Sequence, residues 1–139
     1  MFTALDDLNT RIQELETWLQ QQATTNAQVQ LLQTRVGVGY LTALAVVPGM
    51  GDVTRFTHVG KQVAAFVGLE PLEKSSSTKI KFGGISKKGS WIVRYLLGQA
   101  GNIAARYDPS LESFSKRLGK KKPKAIVKTA VARKLVVKL

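Results

Sequence analysis

The sequence lacks cysteine entirely and has a single histidine, His58, among its 139 residues. The lack of cysteine excludes disulfide scaffolds, thiol catalysis and Cys-ligated metal sites. One histidine excludes multi-histidine metal sites and argues against a Ser–His–Asp triad. No run of about 20 apolar residues is present, so no membrane span is predicted. The opening MFTALDDLNT has two acids and no basic residue, which is unlike a secretory signal.

Acidic residues are scarce in the second half of the chain. Residues 1–73 hold four basic and seven acidic residues, a net charge of −3, whereas residues 74–139 hold seventeen basic and two acidic residues, a net charge of +15. Such a one-sided field favours a polyanionic partner, and nucleic acid is the first expectation. A solvated basic surface and an RNA binder of the ribosomal type are the alternatives.

Helical periodicity dominates the apolar pattern and predicts a mainly α fold. Over residues 3–20 the apolar positions alternate three and four apart, as in the seam of a coiled coil: Leu5, Leu8, Ile12, Leu15 and Leu19. Such a narrow stripe favours pairing with another helix, and packing on the chain's own domain is the alternative. We therefore divide the chain into a coiled-coil and linker helix, 1–27, and a helical domain, 28–139.

A helix–hairpin–helix pattern follows. A short helix over 28–34 is separated by Gly37-Val38-Gly39 from an apolar helix that starts at Tyr40. Glycines allow a tight turn and close approach to a ligand, and the free amides of a helix N-terminus suit a phosphate. We therefore predict that Gly37 and Gly39 contact DNA; an ordinary helix connection is the alternative.

Local signals predict the next elements. Pro48–Asp52 is expected to be a loop. Thr57 is expected to be the N-cap of a helix over 58–67, with Gly68 as its stop and His58 as a surface residue of the first turn.

The basic half is predicted to be largely helical. A short strand or hairpin is expected over 78–85, closing at Gly83-Gly84, with a flexible basic loop as the alternative. Gly98 and Gly101 share a face of the next helix and indicate close approach of a neighbouring helix or a DNA backbone. The predicted helices of this half cover 90–107, 110–118 and 125–138.

A series of short strings, in this order, carries a resemblance: Gly51-Asp52-Val53-Thr54-Arg55-Phe56, Gln62–Pro71, Ser75-Ser76, Gly84–Gly89, Arg106-Tyr107-Asp108-Pro109 and Ala130–Leu135. Together they resemble the C-terminal half of the bridge-RNA-guided insertion-sequence transposases, a family related to the Piv DNA invertases. The resemblance spans about residues 28–136.

The resemblance implies an organisation of which this chain matches one part. Full-length members carry an N-terminal RuvC-like domain with four metal-binding acids, for which Mg²⁺ is expected. A coiled coil joins it to a helical domain with a nucleophilic serine. This chain resembles only the coiled coil and the serine domain, so no metal ligands and no cofactor are expected in it, and we expect a truncated frame or an isolated domain. The resemblance further implies DNA and a structured guide RNA as partners and a cytoplasmic, nucleoid-associated location. The apolar stripe of the N-terminal helix predicts a homo-oligomer formed through that helix.

The family's nucleophile lies in a Ser-Gly pair, which places it at Ser76. Here Ser77 stands where the family has glycine, so the choice among Ser75, Ser76 and Ser77 stays open.

Serine attack on a phosphodiester needs cations beside the phosphoryl oxygens and an acceptor for the proton. Basic residues near Ser76 in the sequence are Lys79, Lys81, Lys87, Lys88 and Arg94. No histidine or cysteine stands nearby as the acceptor, so we expect an incomplete active site. The sequence thus predicts the DNA-binding and strand-transfer domain of a transposase, with a non-catalytic basic nucleic-acid-binding module as the alternative.

Overall fold

The computed structural model describes residues 2–76 and 78–139, which form seven α-helices and one two-stranded sheet. The helices are α1 (Thr3–Thr25), α2 (Ala27–Gln33), α3 (Tyr40–Met50), α4 (Val59–Val67), α5 (Trp91–Tyr107), α6 (Pro109–Gly119) and α7 (Lys124–Lys138), and the strands are β1 (Pro71–Glu73) and β2 (Phe82–Ile85). A 3₁₀ turn, Val53–Arg55, precedes α4. The predicted fold class, mainly α with a short hairpin, is confirmed.

Helix α5 is the centre of the fold and packs against α3, α6 and α7. It starts at a Ser90 cap, whose hydroxyl accepts the Val93 N–H at 3.4 Å. Its Leu97 is fully buried, and burial of such a side chain stabilises the fold by about 1.5–3 kcal/mol. A Cβ on Gly101 would lie 3.2 Å from the Ala132 Cα, so α5 and α7 approach closely at this glycine. The predicted close approach of a neighbouring helix is therefore confirmed.

The core is continuous around α5. One cluster joins α3, α4, α5 and α7 through Val46, Met50, Val63, Val67, Leu69, Val93, Leu97, Ala132 and Val136. A second joins α1, α2, α3, α5, α6 and α7 through Ala23, Val29, Val38, Ala43, Ala100, Ala104, Leu111 and Leu135. The basic second half thus contributes the central helix α5 and two of the helices that pack on it, α6 and α7.

Helix α1 touches the core only near its C-terminal end, at Ala23. It continues to Thr25, and the Asn26 side chain then caps α2 by accepting two backbone N–H groups at 3.0 and 3.1 Å. Its leucine stripe faces solvent in this chain: the exposed fractions of Leu8 and Leu15 are 57% and 60%. The coiled coil remains a prediction, and the exposed leucines provide a surface on which a second helix can pack. Across the described ranges, no helix has the length and apolarity that a bilayer span requires.

The predicted loop at Pro48–Asp52 is wrong in its first three residues. Helix α3 continues through Pro48 to Met50 and ends at Gly51, which has a φ of 61°. A proline removes one helical hydrogen bond, but here that loss falls in the last turn. Continuing the helix buries Met50 in the core, and this burial outweighs the local signal.

The predicted Thr57 cap is also wrong. Helix α4 starts at Val59, and the N-cap position is His58, whose side chain makes no capping hydrogen bond. Instead, Gln62 reaches back from the first turn: its Oε1 accepts the His58 N–H at 3.1 Å, and its Nε2 donates to the Thr57 hydroxyl at 3.3 Å. The stop at Gly68 is confirmed by its left-handed φ of 78°.

The hairpin is wider than the predicted 78–85. Strand β1 pairs antiparallel with β2 in the register Pro71–Ile85 and Glu73–Phe82. The predicted closing residues, Gly83-Gly84, lie inside β2, so the turn was placed at the wrong end of the strand. Strand β1 has only three residues and begins with proline, so no alternating pattern indicates it.

Candidate nucleic-acid interface

Ser76 lies at the tip of the hairpin. The backbone N–H of Lys79 donates to the Ser76 carbonyl at 3.0 Å, and that of Ser76 donates to the Lys79 carbonyl at 3.3 Å. Both residues are exposed. The structure thus presents the predicted nucleophile on a turn, paired through its backbone with one of the predicted phosphate-binding lysines.

The neighbouring serines differ in their surroundings. The Ser75 hydroxyl donates to the Glu73 carboxylate two residues earlier in the chain. Ser77, the third candidate, lies outside the described residues. Because Ser75 is engaged by a carboxylate on its own strand, the geometry favours Ser76 over Ser75 for contact with an incoming ligand.

The strand register adds a lysine that the sequence pattern missed. The Lys74 N–H donates to the Lys81 carbonyl at 2.6 Å, so these two exposed residues face each other across the hairpin. With Lys79 at the turn, the outer half of the hairpin carries three exposed lysines and Ser76. Lys74 stands two residues before Ser76, so its proximity in the sequence was a signal, whereas its pairing with Lys81 is visible only in the fold.

Lys87 and Lys88 lie beyond the base of the hairpin. The Lys87 N–H donates to the Gly68 carbonyl at 3.1 Å, and Lys87 has a φ of 55°, which is uncommon for a residue with a side chain. A Cβ on Gly68 would lie 2.1 Å from the Lys88 carbonyl oxygen. The loop therefore packs directly on the C-terminal end of α4, while both lysine side chains stay exposed.

The hairpin divides the predicted cations into two groups. Lys79 and Lys81 lie with Ser76 in its outer half, whereas Lys87 and Lys88 follow its inner end. The four residues of β2, at about 3.3 Å each, lie between the groups and span about 13 Å. The structure therefore pairs Lys79 with Ser76 and Lys81 with Lys74 in the outer half of the hairpin, and places Lys87 and Lys88 beyond the other end of β2.

Arg94 has a structural role. Its Nη1 donates to the carbonyl oxygens of Val67, Lys88 and Gly89 at 3.2, 2.7 and 3.1 Å. The half-buried guanidinium thus joins α5 to the end of α4 and to the 86–89 loop. The sequence predicts that Arg94 contacts a phosphate. Its carbonyl partners could not be predicted, because only the fold brings them to Arg94.

The two glycines of the α2–α3 turn differ. Gly37 has a φ of 86°, and a Cβ there would lie 2.4 Å from the Ala100 carbonyl oxygen, so packing on α5 accounts for this glycine. A Cβ on Gly39 would meet nothing within 4 Å. Gly39 stands at the N-cap of α3, beside amides that a helix leaves unpaired. DNA contact at either residue remains a prediction.

A cleft of about 730 Å³ lies beside the base of the hairpin, against α4 and α7. Charged side chains of both signs line it: Lys61, Lys88, Arg133, Glu70 and Glu73. Within the part of the chain that the structure describes, the buried Ser86 hydroxyl in this cleft has no hydrogen-bond partner. Lys61 and Arg133 are far from the hairpin in the sequence, so no local pattern connects them to it.

The carboxylates serve local structure. Asp52 accepts the Thr54 hydroxyl at 2.7 Å, and this hydrogen bond lowers the pKa of Asp52. Asp108 caps α6, and hydrogen bonds from Ser110 lower its pKa. Over residues 2–76 and 78–139, no group of three His, Asp or Glu residues is placed to hold a metal ion. The described residues therefore do not fit the Mg²⁺ that the resemblance implies for full-length members.

Comparison with known proteins identifies relatives. Residues 29–116 match the family described as "Transposase IS116/IS110/IS902 family". The chain is 40% identical over 97 residues to the "Transposase for insertion sequence element IS1111A" of Coxiella burnetii, covering 70% of this chain and 26% of that protein. It is 31% identical over 134 residues to a "Probable family 20 transposase" of Pseudomonas aeruginosa, covering 94% and 39%. The chain thus spans between a quarter and two fifths of the length of these curated relatives.

Proposed function

Because the chain belongs to the transposase IS116/IS110/IS902 family, we propose that it is the DNA-binding and strand-transfer part of a transposase, with Ser76 as the nucleophile in DNA transposition. The observation that carries this proposal is the hairpin tip, where an exposed serine is paired through its backbone with Lys79. A DNA strand laid along the hairpin places a phosphodiester beside the Ser76 hydroxyl and the ammonium groups of Lys79 and Lys81.

The proposed step is a phosphoryl transfer to serine. The Ser76 Oγ forms a bond to phosphorus, and the bond from phosphorus to one deoxyribose oxygen breaks. The hydroxyl proton passes to a base, and the leaving deoxyribose oxygen takes up a proton to become a free hydroxyl. Lys79 and Lys81 stabilise the negative charge that develops on the phosphoryl oxygens. The product is a phosphoserine ester that retains the energy of the broken bond for joining to another DNA end.

We assign the proton acceptor to a carboxylate outside this chain, in the acidic domain that the resemblance implies. Glu73, the nearest acid in the sequence, already accepts the Ser75 hydroxyl. The same proposal includes a guide RNA as partner and self-association through α1. It also includes DNA contacts by Gly37, Gly39, Lys87 and Lys88. Binding of DNA by this chain alone, without cleavage, is the expected behaviour.

The rival function is a non-catalytic nucleic-acid-binding module. The observation in its favour is that the cations extend well beyond the hairpin, over the loop after β2 and the helices of the +15 half. Such a module needs only phosphate contacts, whereas strand transfer also needs the hydroxyl.

Recombination by a complete transposase that contains this chain separates the two. We expect Ser76→Ala to abolish recombination while the affinity for DNA is retained, and Ser75→Ala, the matched control on the adjacent residue, to remain active. If Ser75→Ala or Ser77→Ala is inactive and Ser76→Ala is not, the nucleophile is a different serine. If all three variants recombine normally, only the binding module remains.

Binding by the chain itself tests the DNA half of the proposal. If about six phosphates are neutralised, the logarithm of the binding constant should fall with the logarithm of salt concentration with a slope of about −5. Lys79→Gln with Lys81→Gln should reduce that slope by about 2 units. Affinity that does not change between about 50 and 200 mM salt contradicts an electrostatic interface.

A further inference from the structure

We propose that the groove bounded by α5, α6 and α7 is a second nucleic-acid site, which binds a phosphodiester backbone independently of the hairpin. The groove encloses about 710 Å³ at the C-terminal half of α5. The inference rests on the proposed function only in taking a nucleic acid as the partner, and it requires no chemistry at Ser76. The inference gives a role in phosphate binding to basic residues after position 100, which are not part of the hairpin.

The charge of the groove is strongly positive. Five cations line it: Arg106, Lys116, Lys122, Lys124 and Lys128. Its single carboxylate, Glu112, forms an ion pair with Lys116. Among the residues that the structure describes, no other lining cation forms an ion pair. Four positive charges therefore face the groove with no acidic partner, which favours a polyanion over a single small anion.

The cations are spaced for a chain of phosphates. Lys124 and Lys128 lie one turn apart on α7, a separation of about 6 Å. Neighbouring phosphates of one strand advance by about 3.4 Å along the duplex axis and also wind around it, so two long side chains one turn apart can contact neighbouring phosphates of the same strand. Arg106 projects from α5, the other wall, and a guanidinium can bind a phosphate through two hydrogen bonds.

The groove lining combines small, polar and apolar residues, and Val127 and Val131 of α7 supply its larger apolar side chains. Gly101, Ala105 and Gly119 leave its floor free of bulky side chains, while Asn102 and Ser115 supply hydrogen-bonding groups. The packing of α7 accounts for Gly101. At Gly119, by contrast, a Cβ would meet nothing within 4 Å, so no contact within the described chain requires glycine there. An open floor allows a sugar–phosphate backbone to approach the helices closely.

The groove is distinct from the hairpin surface. Arg94, which holds the loop after β2, and Arg106, which lines the groove, lie twelve residues apart on α5, or about 18 Å. A duplex carries one negative charge per about 1.7 Å of its axis, so a single molecule has enough phosphates for both surfaces. Occupation of the two sites together would fix the direction of a duplex across the domain.

The test compares two lysine pairs in the 139-residue chain. Lys124→Gln with Lys128→Gln removes two groove contacts. Lys120→Gln with Lys121→Gln, in the adjacent turn and outside the lining, removes the same charge. For a 20-base-pair DNA duplex, we expect the groove pair to lower the magnitude of the salt slope by about 2 and the affinity roughly tenfold per lysine at 0.1 M salt. The control pair should change the affinity less than about threefold.

The probe distinguishes the sources of the backbone. Both variants are also titrated with an RNA duplex of the same sequence. Equal losses of affinity for the DNA and RNA duplexes mean that the groove binds either backbone. A loss of affinity for only one duplex means that the groove binds that nucleic acid. Gly119→Leu, which fills the groove without changing charge, should weaken binding of the same probe and covers the case in which the lysine pair fails to fold. Lys79→Gln with Lys81→Gln, measured in parallel, reports on the hairpin alone.

Equal effects of the groove and control pairs, with unchanged binding by a folded Gly119→Leu, would overturn the inference in favour of a diffuse basic surface. If only the hairpin variant loses affinity, the proposed function is retained and the groove site is rejected. If only the groove variants lose affinity, the groove site is retained and DNA binding by the hairpin is rejected.

Discussion

Gly37 lies directly against Ala100: a Cβ on the glycine would be 2.4 Å from the carbonyl oxygen of the alanine. This contact fixes the α2–α3 turn on α5, and this packing alone explains the glycine without any ligand. Gly39, two residues later, has open space around it. Substitutions at the two glycines therefore test packing and the proposed DNA contact separately.

Gly37→Ala should lower the free energy of unfolding by at least about 2 kcal/mol, because it combines a positive φ with a backbone clash. Gly39→Val should leave the fold intact and weaken DNA binding severalfold, because its side chain would occupy the space beside the α3 amides. Urea denaturation and fluorescence anisotropy measure the two effects. A stable Gly37→Ala would contradict the packing, and unchanged affinity in Gly39→Val would leave only a structural turn.

Arg94→Gln should destabilise the domain by about 2–3 kcal/mol, because carbonyls of α4 and the 86–89 loop lose a charged donor. The salt slope of DNA binding, measured where the variant is folded, should remain that of the wild type. Lys87→Gln, an exposed neighbour of the same charge, is the control and should show the reverse: normal stability with a slope smaller by about 1. A stable Arg94→Gln with a reduced slope would make Arg94 a phosphate ligand.

Leu8→Asp with Leu15→Asp should abolish self-association without unfolding the domain, because both leucines are exposed in the single chain. Charges in a helix–helix seam are buried without partners, whereas at an exposed position they are hydrated. Gln13→Asp with Gln20→Asp, seven residues apart on the same helix, adds the same charge and should leave association unchanged. Analytical ultracentrifugation measures the mass. A wild-type chain that stays monomeric at high concentration rejects the coiled coil.

Helices with strong periodicity and clear boundaries could be predicted from the sequence. The predicted bounds of α5 agree with the structure within one residue, because its apolar residues recur at helical spacing and Asp108-Pro109 ends it. The approach of α7 to α5 was indicated by Gly101. In these cases the local signal and the tertiary packing agree, so the pattern alone was sufficient.

Features that depend on distant residues could not be predicted. Arg94 binds the carbonyl of Val67, 27 residues away, and only the fold brings the two together. Lys74 joins the candidate site through pairing with Lys81, and this register follows from a three-residue strand without a sequence pattern. Helix α3 continues through Pro48 because the core accepts Met50, a tertiary gain that local propensity does not include.

The central claim is that Ser76 becomes covalently joined to DNA, and the direct measurement is capture of that bond. A complete transposase that contains this chain is incubated with a nicked DNA substrate that prevents rejoining, then denatured, digested and analysed by mass spectrometry. We expect a nucleotide adduct on the peptide that contains Ser76, with fragment ions placing it on that residue. The adduct should be present with Ser75→Ala and lost with Ser76→Ala. An adduct on a different residue, or full recombination by Ser76→Ala, would contradict it.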